Sequence, residues 1–290
     1  MTGNQLGDYL RARRDQVRPE QVGLRDNGRR RVPGLRRDEL AMLAGISTEY
    51  YTRLEQGRDQ NPSTQVLDAV ARALHLDDDA RTHLHQLATP APARPRAPRR
   101  AERVRSSLLQ LIDSWHATPA FVLGPHLDIL ASNAIAQALS PIFTPGTNLL
   151  RATILDPAMH ELMPDDWEAK VETLIAGLRS TVGPEVEDPR LMELVGELSV
   201  KSTAFARIWS RHDVRPLTGG GTHLMHHPAV GELELAYDKF AVNGTDGLTL
   251  VVYHAEPGSS TEQSLALLSA LAADIAPDQQ SRNRHRSARN

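Results

Sequence analysis

Residues 47–53 carry side chains whose chemistry suits the reading of DNA base edges. A hydroxyl can donate or accept a hydrogen bond, and a guanidinium can donate twice to guanine. Glu49 would suit the amino group of cytosine, and Arg53 a guanine or a phosphate. We predict DNA contacts from these polar residues and two flanking arginines: Arg37, Ser47, Thr48, Glu49, Tyr50, Thr52, Arg53 and Arg58.

Two short helical patterns, one on each side of Gly45, would position these side chains. The apolar residues are spaced to bury one face of each helix: Leu40, Leu43, Ala44, Tyr51 and Leu54. Gly45 allows a tight turn because it adopts positive φ without steric cost, and Ser47 is a good N-cap. The pattern is that of a helix-turn-helix, whose second helix enters the DNA major groove.

The surrounding residues predict one compact all-α domain of five helices. Further helices are indicated around Leu6–Arg11, after Ser63 and from Asp77. Arg14 and Glu55 are expected to form an internal ion pair that braces the first helix against the DNA-reading helix. The cluster Arg29-Arg30-Arg31 could contact phosphates or lie in a solvated loop, and the sequence favours neither.

Composition places this domain at the start of a two-part chain of 290 residues. Residues 1–100 hold 18 Arg and 13 acidic residues, whereas the remainder holds 15 basic and 23 acidic residues, which suits a nucleic-acid-binding module joined to something else. The absence of cysteine excludes disulfides and thiolate metal sites. Without an 18-residue apolar run or a signal peptide, we expect a cytoplasmic protein with no membrane partner.

The later residues mix helix and strand. Two short apolar runs around Gly124-Pro125 predict a hairpin, and residues 221–227, 231–242 and 248–255 predict three antiparallel strands. Helices are predicted between these two groups of strands and again at 260–272. Gly219-Gly220-Gly221 is interpreted as a flexible connection. This order predicts an α+β sensor-type domain, with a ligand cavity between its sheet and its helices.

The first domain resembles the xenobiotic-response-element family of helix-turn-helix regulators. The residues that carry this resemblance are Asp38-Glu39-Leu40-Ala41, Ala44-Gly45-Ile46-Ser47 and Arg53-Leu54-Glu55-Gln56-Gly57. Almost the whole chain, from about residue 6 to 268, is similar to the MmyB-like regulators. The further residues that carry this resemblance are Gly34-Leu35-Arg36-Arg37, Thr118-Pro119-Ala120, Ser132-Asn133, Asp166-Trp167-Glu168, Trp209-Ser210-Arg211-His212-Asp213-Val214 and His227-Pro228-Ala229-Val230-Gly231. This resemblance implies a PAS-like second domain and a small, apolar or fatty-acid-like effector.

Three residues of the second domain are candidate ligand contacts. Asn133 could cap a helix or reach a ligand, and capping is favoured. Trp209 and His212 share a helical face, where His212 could bind a carboxylate. His223, His226 and His227 resemble a metal cluster, but His226 would point away from the other two on a strand. We therefore predict no metal. The sequence has no nucleophile-elbow pattern, no His-Glu-x-x-His and no dinucleotide fingerprint, so we also predict no cofactor and no catalytic residue.

These patterns predict a homodimeric regulator of transcription. The boundaries we expect are a helix-turn-helix domain at 1–88, a Pro/Arg-rich linker at 89–102, a PAS-like ligand-binding domain at 103–275 and a disordered tail at 276–290. The partners would be double-stranded DNA and a small-molecule effector, with the short linker transmitting movement of the sensor. An enzyme fused to a DNA-binding domain and a ligand-independent DNA-binding protein are the alternatives.

Overall fold

A computed structural model describes residues 4–24, 32–59, 61–89, 103–164, 167–182, 188–245 and 247–272. The cluster Arg29-Arg30-Arg31, almost all of the predicted linker and the predicted tail lie outside these ranges. The chain forms two compact units. We call Met1–Arg96 with Ile175–Pro216 the first unit, and Ala97–Leu174 with Leu217–Asn290 the second unit.

Helices precede and interrupt a single group of strands. The described α-helices are α1 (Gln5–Gln16), α2 (Arg37–Ala44), α3 (Thr48–Glu55), α4 (Thr64–Ala73), α5 (Asp78–Ala88), α6 (Ser106–Asp113), α7 (Ala134–Leu139), α8 (Leu149–Leu155), α9 (Pro157–Leu162), α10 (Trp167–Val182), α11 (Pro189–Lys201), α12 (Thr203–Trp209) and α13 (260–272). Short 3-10 helices span Pro19–Val22 and Pro141–Phe143. The strands are β1 (Ala120–Leu123), β2 (Ile129–Ser132), β3 (Gly219–His227), β4 (Gly231–Ala241) and β5 (Thr249–His254).

Local signals define the five helices α1 to α5, as the sequence predicts. Side chains of Asn4, Ser47, Ser63 and Asp77 accept hydrogen bonds from the first turns of α1, α3, α4 and α5. Each cap satisfies an amide that has no partner within its own helix. Gly45 ends α2 with a φ of 68°, a left-handed conformation that makes the tight turn before α3.

The apolar faces of these helices form the core of the first unit. Tyr9 and Leu10 from α1, Leu40 from α2, and Tyr51 and Leu54 from α3 are fully buried. The core is completed by residues of α4 and α5 and by one residue from the later part of the chain: Leu67, Val70, Ala71, Leu84 and Val214. A segment distant in sequence thus packs into the helix-turn-helix core.

The second unit contains one antiparallel sheet with the strand order β2-β1-β5-β4-β3. Ala120 pairs with Val252 and Tyr237 with Tyr253, so the first hairpin joins the three later strands through β1 and β5. One face carries Val122 and Leu250, which pack in a core with Ile112 of α6. An all-α first part and an α+β second part confirm the predicted fold class.

The prediction of a flexible connection at Gly219–Gly221 was wrong. These glycines belong to β3 and pair with residues 237–239 of β4. A Cβ atom on Gly220 would lie 2.5 Å from the side chain of Asp238, and one on Gly221 would lie 3.0 Å from the hydroxyl of Tyr237. A Cβ atom on Gly220 would also lie 2.5 Å from the backbone carbonyl oxygen of Tyr237, so the close approach of β4 favours glycine at this position.

Candidate functional site

The exposed side of α3 carries the residues that the sequence singles out for DNA. Glu49 and Arg53 are exposed, and Thr48, Tyr50 and Thr52 are half-buried. Their neighbours Tyr51 and Leu54 are buried on the opposite side of the same helix. The helix thus presents a continuous polar surface while its other face holds it against the core.

Several of these side chains have partners that orient them. The Ser47 hydroxyl accepts from the Tyr50 amide at 3.1 Å, so its observed role is that of an N-cap. The Thr52 hydroxyl donates to the Thr48 carbonyl at 2.7 Å, which leaves its oxygen free to accept a hydrogen bond. Arg53 lies 5.5 Å from the centre of the Tyr50 ring and 3.8 Å from a carboxylate oxygen of Asp59. Arg53 is therefore partly ordered at the surface.

A fully buried carboxylate, that of Glu55, lies at the C-terminal end of α3. Arg14 donates to it from Nε at 3.1 Å and from Nη2 at 3.3 Å, so the predicted ion pair is confirmed. Arg37 donates to Oε1 from Nε at 3.1 Å and from Nη2 at 2.8 Å, and Arg11 approaches to 3.5 Å. Three guanidinium groups from α1 and α2 thus share one carboxylate of α3.

The charges around Glu55 favour its ionised form. Burial acts to raise the pKa of its carboxyl group, but hydrogen bonds from Arg14 and Arg37 outweigh it and lower the pKa. Arg37 remains 42% exposed while it holds this contact. Its guanidinium therefore stands at the surface in an orientation set by Glu55, and Arg58 is exposed just beyond the helix.

Trp209 and His212 lie in the first unit. The Arg179 guanidinium is 4.0 Å from the Trp209 ring centre, donates to the Trp209 carbonyl at 2.8 Å and contacts Nδ1 of His212 at 3.0 Å. Burial, followed by the charge of Arg179, lowers the pKa of His212 to about 4. His212 is therefore neutral at pH 7 and makes an edge contact with the ring of Tyr9.

Residues 211–214 attach the later segment to α1. Arg13 forms an ion pair with Asp213 at 2.5 Å, and the Gln16 side chain donates to the Arg211 carbonyl at 2.6 Å. Val214 is buried in the core of the first unit. Residues 211–214 thus contact the helix-turn-helix domain through both polar and apolar side chains.

Asn133 is a buried hydrogen-bonding centre of the second unit. Its Oδ1 accepts from the amides of Ala120 and Ala136 at 3.0 and 3.1 Å. Its Nδ2 donates to three carbonyls, those of Ile112, Trp115 and Thr118, between 2.8 and 3.1 Å. Of the two roles that the sequence leaves open, capping of α7 is the one its contacts show.

A cavity of about 270 Å³ opens over the other face of the sheet in the second unit. Aromatic rings, two lysines and helix residues line it: Phe121, Leu123, Phe143, Leu149, Thr153, Met159, Met163, Ala169, Lys170, Thr173, Leu174, Leu217, Thr222, His223, Tyr237, Lys239, Val251 and Tyr253. Asn133, Trp209 and His212 are not among these residues. The sequence pattern that could have indicated these residues is the period of two along β1, β4 and β5, because every second residue of a strand faces the same side of the sheet.

The three histidines of β3 have separate environments. His223 stacks on Tyr237 with 4.3 Å between ring centres, whereas His226 lies 3.7 Å from the carboxylate of Glu232. His227 contacts the Ala138 carbonyl at 3.1 Å. Within the described ranges, no group of three or more His, Cys, Asp or Glu side chains is arranged to hold a metal ion.

Comparisons with known proteins agree with both parts of the fold. The family model of the MmyB-like transcription regulator ligand binding domain matches residues 104–268, and that of a helix-turn-helix domain matches residues 5–84. A comparison with curated proteins finds no match. Among the described helices, none is long and apolar enough to cross a membrane.

Proposed function

Because this chain belongs to the MmyB-like transcription regulators, we propose that it reads DNA through α3 and responds to a small molecule held in the cavity of its second unit. The two matched domains make the chain a ligand-responsive, DNA-binding transcription regulator. We further propose which residues contact DNA and the effector, the chemical nature of the effector, and a dimeric state. We also propose that the helix-turn-helix domain ends at residue 88 and that the ligand-binding domain begins at residue 103.

The exposed surface of α3 supports the assignment of the DNA contacts. We assign base-edge or nearby backbone contacts to the polar residues of α3 and its flanks: Ser47, Thr48, Glu49, Tyr50, Thr52, Arg53, Arg37 and Arg58. Arg53 is the best base reader because its guanidinium is exposed and rests near the Tyr50 ring. Arg37 is better suited to a phosphate, since Glu55 already uses two of its nitrogen atoms.

Replacing Arg53 with alanine is expected to weaken binding to the preferred DNA sequence by about tenfold or more, because a bidentate contact with guanine contributes about 1–3 kcal/mol. The preferred duplex is first selected from a random library with the purified protein. Fluorescence anisotropy at one fixed salt concentration then measures Kd. Arg72→Ala, which removes an exposed arginine of α4, is the matched control. Equal affinities for Arg53→Ala and Arg72→Ala would remove Arg53 from the assignment.

We propose a homodimer because the chain contains one matched helix-turn-helix, and such readers bind paired half-sites about one helical turn apart. Sedimentation of the protein with the selected duplex measures the stoichiometry. Two chains per duplex are expected, with related half-sites in the selected sequence. One chain on an asymmetric site contradicts the dimer and leaves the assignment of α3 intact.

The effector site that we propose is the cavity over the sheet. Phe121, Phe143 and Met159 give it an apolar wall, which suits an effector with an apolar, fatty-acid-like body. This wall and the family's ligand-binding domain favour the residues that line the cavity as the ligand contacts, in preference to Asn133, Trp209 and His212. Native mass spectrometry of the purified chain, followed by DNA titration with and without any bound molecule, tests this assignment.

The segment 175–216 is well placed to carry the response. It belongs to the matched ligand-binding domain, yet it forms a compact unit with the helix-turn-helix. In the chain, Leu174 directly precedes this segment and Leu217 directly follows it, and both residues line the cavity. We propose that a bound effector shifts the balance between two conformations of this segment. Residues 211–214 of the segment contact α1. An effector can change DNA affinity only by binding two states differently, typically by about 1–3 kcal/mol.

Val214 gives a direct test of the attachment. Val214→Ala is expected to lower the free energy of unfolding of the first unit by about 1–3 kcal/mol, because it removes buried methyl groups and leaves a cavity. Amide hydrogen exchange in residues 5–16 should become faster in the same variant. Val200→Ala removes the same atoms from an 88% exposed position in the same segment and should change neither quantity. Equal effects of the two variants on stability would show that residues 211–214 do not brace α1.

A further inference from the structure

We propose that two copies of this chain pair through one face of α13, the last described helix of the second unit. We call this surface the outer face, and its residues are Gln263, Ala266, Leu267, Ala270 and Leu271. The inference rests on the proposed function, since it names the interface of the homodimer proposed above. None of these residues lines the effector cavity.

The opposite face of α13 is attached to the second unit. The buried residues of this inner face are Thr261, Leu265 and Leu268. The Thr261 hydroxyl accepts from the Glu234 amide of β4 at 3.1 Å, and the Ser269 hydroxyl donates to the His116 carbonyl beyond α6 at 2.6 Å. Contacts near both ends of the helix therefore fix its orientation and leave the outer face towards solvent.

The outer face is apolar although it is exposed. The Leu267 side chain is 53% exposed and that of Leu271 is 42% exposed, and the two alanines of this face are exposed as well. The one charged residue of the helix, Glu262, has its carboxylate turned back to the Gly258 amide at 2.7 Å. A helix that is apolar on both faces is normally buried on both faces, so the outer face of α13 needs a covering surface.

The remaining residues of this sequence are poorly suited to cover the outer face. Outside the described ranges, the large apolar residues are Met1, Val186 and Ile275. Residues 273–290, which follow α13 directly, hold four arginines and only one of those apolar residues. Segments with so few apolar side chains can bury little apolar surface. The covering surface is therefore expected to come from a second molecule.

A second copy of the chain matches this face, because two uncharged faces meet without repulsion. Side chains four residues apart lie on one side of a helix, so Leu267 and Leu271 form one ridge and the two alanines form another. In an antiparallel pair with its twofold axis between residues 267 and 270, Leu267 packs against Leu271 of the partner subunit, and the reverse contact forms by symmetry. The alanine ridges allow the two helices to approach closely. Such a pair also joins two DNA readers, as paired half-sites demand.

Sedimentation equilibrium of the full chain without DNA, over a wide range of protein concentration, tests this inference. We expect the wild type to dimerise. Leu267→Glu and Leu271→Glu are each expected to raise the dimer Kd by about 100-fold or more, because each removes a buried leucine from both copies and introduces two charges. Met192→Glu places the same charge at a 60% exposed position of α11 and should dimerise as the wild type does. Circular dichroism checks that all three variants keep their helix content.

Cross-linking adds a readout that depends on the geometry of the pair. The sequence has no cysteine, so a single introduced cysteine reports one contact. Ala270→Cys lies close to the proposed twofold axis and should give a disulfide-linked dimer on mild oxidation, since a disulfide needs Cα atoms within about 7 Å. Gln263→Cys lies on the same face about 10 Å further along the helix, and its two copies should not become linked.

Two outcomes overturn the inference. One is a wild-type chain that stays monomeric at every concentration, which is measured on the unmutated protein and does not depend on a variant folding. The other is a folded Leu267→Glu chain that dimerises as tightly as Met192→Glu. If that variant also places two chains on the selected duplex, the dimer uses another surface and the proposed function stands. Loss of specific DNA binding by the wild type would instead remove the function itself, and sedimentation without DNA is independent of that result.

Discussion

Replacing Glu55 with glutamine is expected to destabilise the first unit by about 3–5 kcal/mol, the usual cost of removing one partner from a buried ion pair. Glutamine keeps the shape of the side chain but removes the charge that Arg14 and Arg37 share. Arg14, a buried cation, would then lose its buried carboxylate partner and keep the half-exposed carboxylate of Asp15 at 2.9 Å. Urea denaturation followed by hydrogen exchange in residues 5–88 measures the change. Asp38→Asn, which removes an exposed carboxylate of α2, is the matched control.

The pH dependence of the same variant identifies the charge as the cause. The pKa of Glu55 in the folded chain lies below its ordinary value of 4.5, so its stabilising contribution is present above about pH 4.5. That contribution is lost as the pH falls through the folded-state pKa. The stability difference between wild type and Glu55→Gln should therefore be constant near neutral pH and shrink in acid. A difference that stays constant from pH 7 down to pH 3 would argue that altered packing, and not charge, destabilises the variant.

The second large effect is expected at Asn133. Asn133→Ala should lower the free energy of unfolding of the second unit by about 3 kcal/mol or more, because each buried group left without a partner costs about 1–3 kcal/mol. The amides of Ala120 and Ala136 and the carbonyl of Thr118 are among the groups that lose their partner. Urea denaturation with hydrogen exchange in residues 112–139 measures the loss.

Gln137→Ala provides the control for Asn133 on the same helix, α7. Gln137 is exposed, and its side chain makes one long contact of 3.4 Å with the Ser132 carbonyl, so its removal should cost little. The comparison also separates the two roles that the sequence leaves open for Asn133. Normal stability of Asn133→Ala with loss of effector binding would favour ligand contact over capping.

The helix-turn-helix was predictable because its determinants are close together in sequence. Ser47 caps the third amide of its own helix, and Gly45 makes its turn through its own backbone. The spacing of Tyr51 and Leu54 shows which face of α3 is buried, because helix periodicity is local. In α2, Leu40 and Ala44 are buried as predicted, but Leu43 is exposed. The pair Arg14–Glu55 spans more of the chain, because Arg14 lies in α1 and Glu55 at the end of α3.

The ligand cavity depended on contacts that sequence spacing does not encode. Its wall joins Phe121 of β1 to Tyr237 of β4 and Tyr253 of β5, and it forms only because β5 lies between β1 and β4. Strand patterns indicate which residues share a face of one strand, but they do not give the order of strands.

By itself, the sequence determined the two-part fold class, the five N-terminal helices, the polar surface of α3 and the Arg14–Glu55 ion pair. The tertiary structure alone decided that residues 175–216 join the helix-turn-helix through Val214 and Asp213. The spacing of Trp209 and His212 predicted a shared helical face, but this was wrong, because α12 ends at Trp209 and His212 follows it with a φ of 55°. Which surfaces meet depends on the free energy of burial summed over the whole chain, and a local pattern specifies only that a surface must be covered.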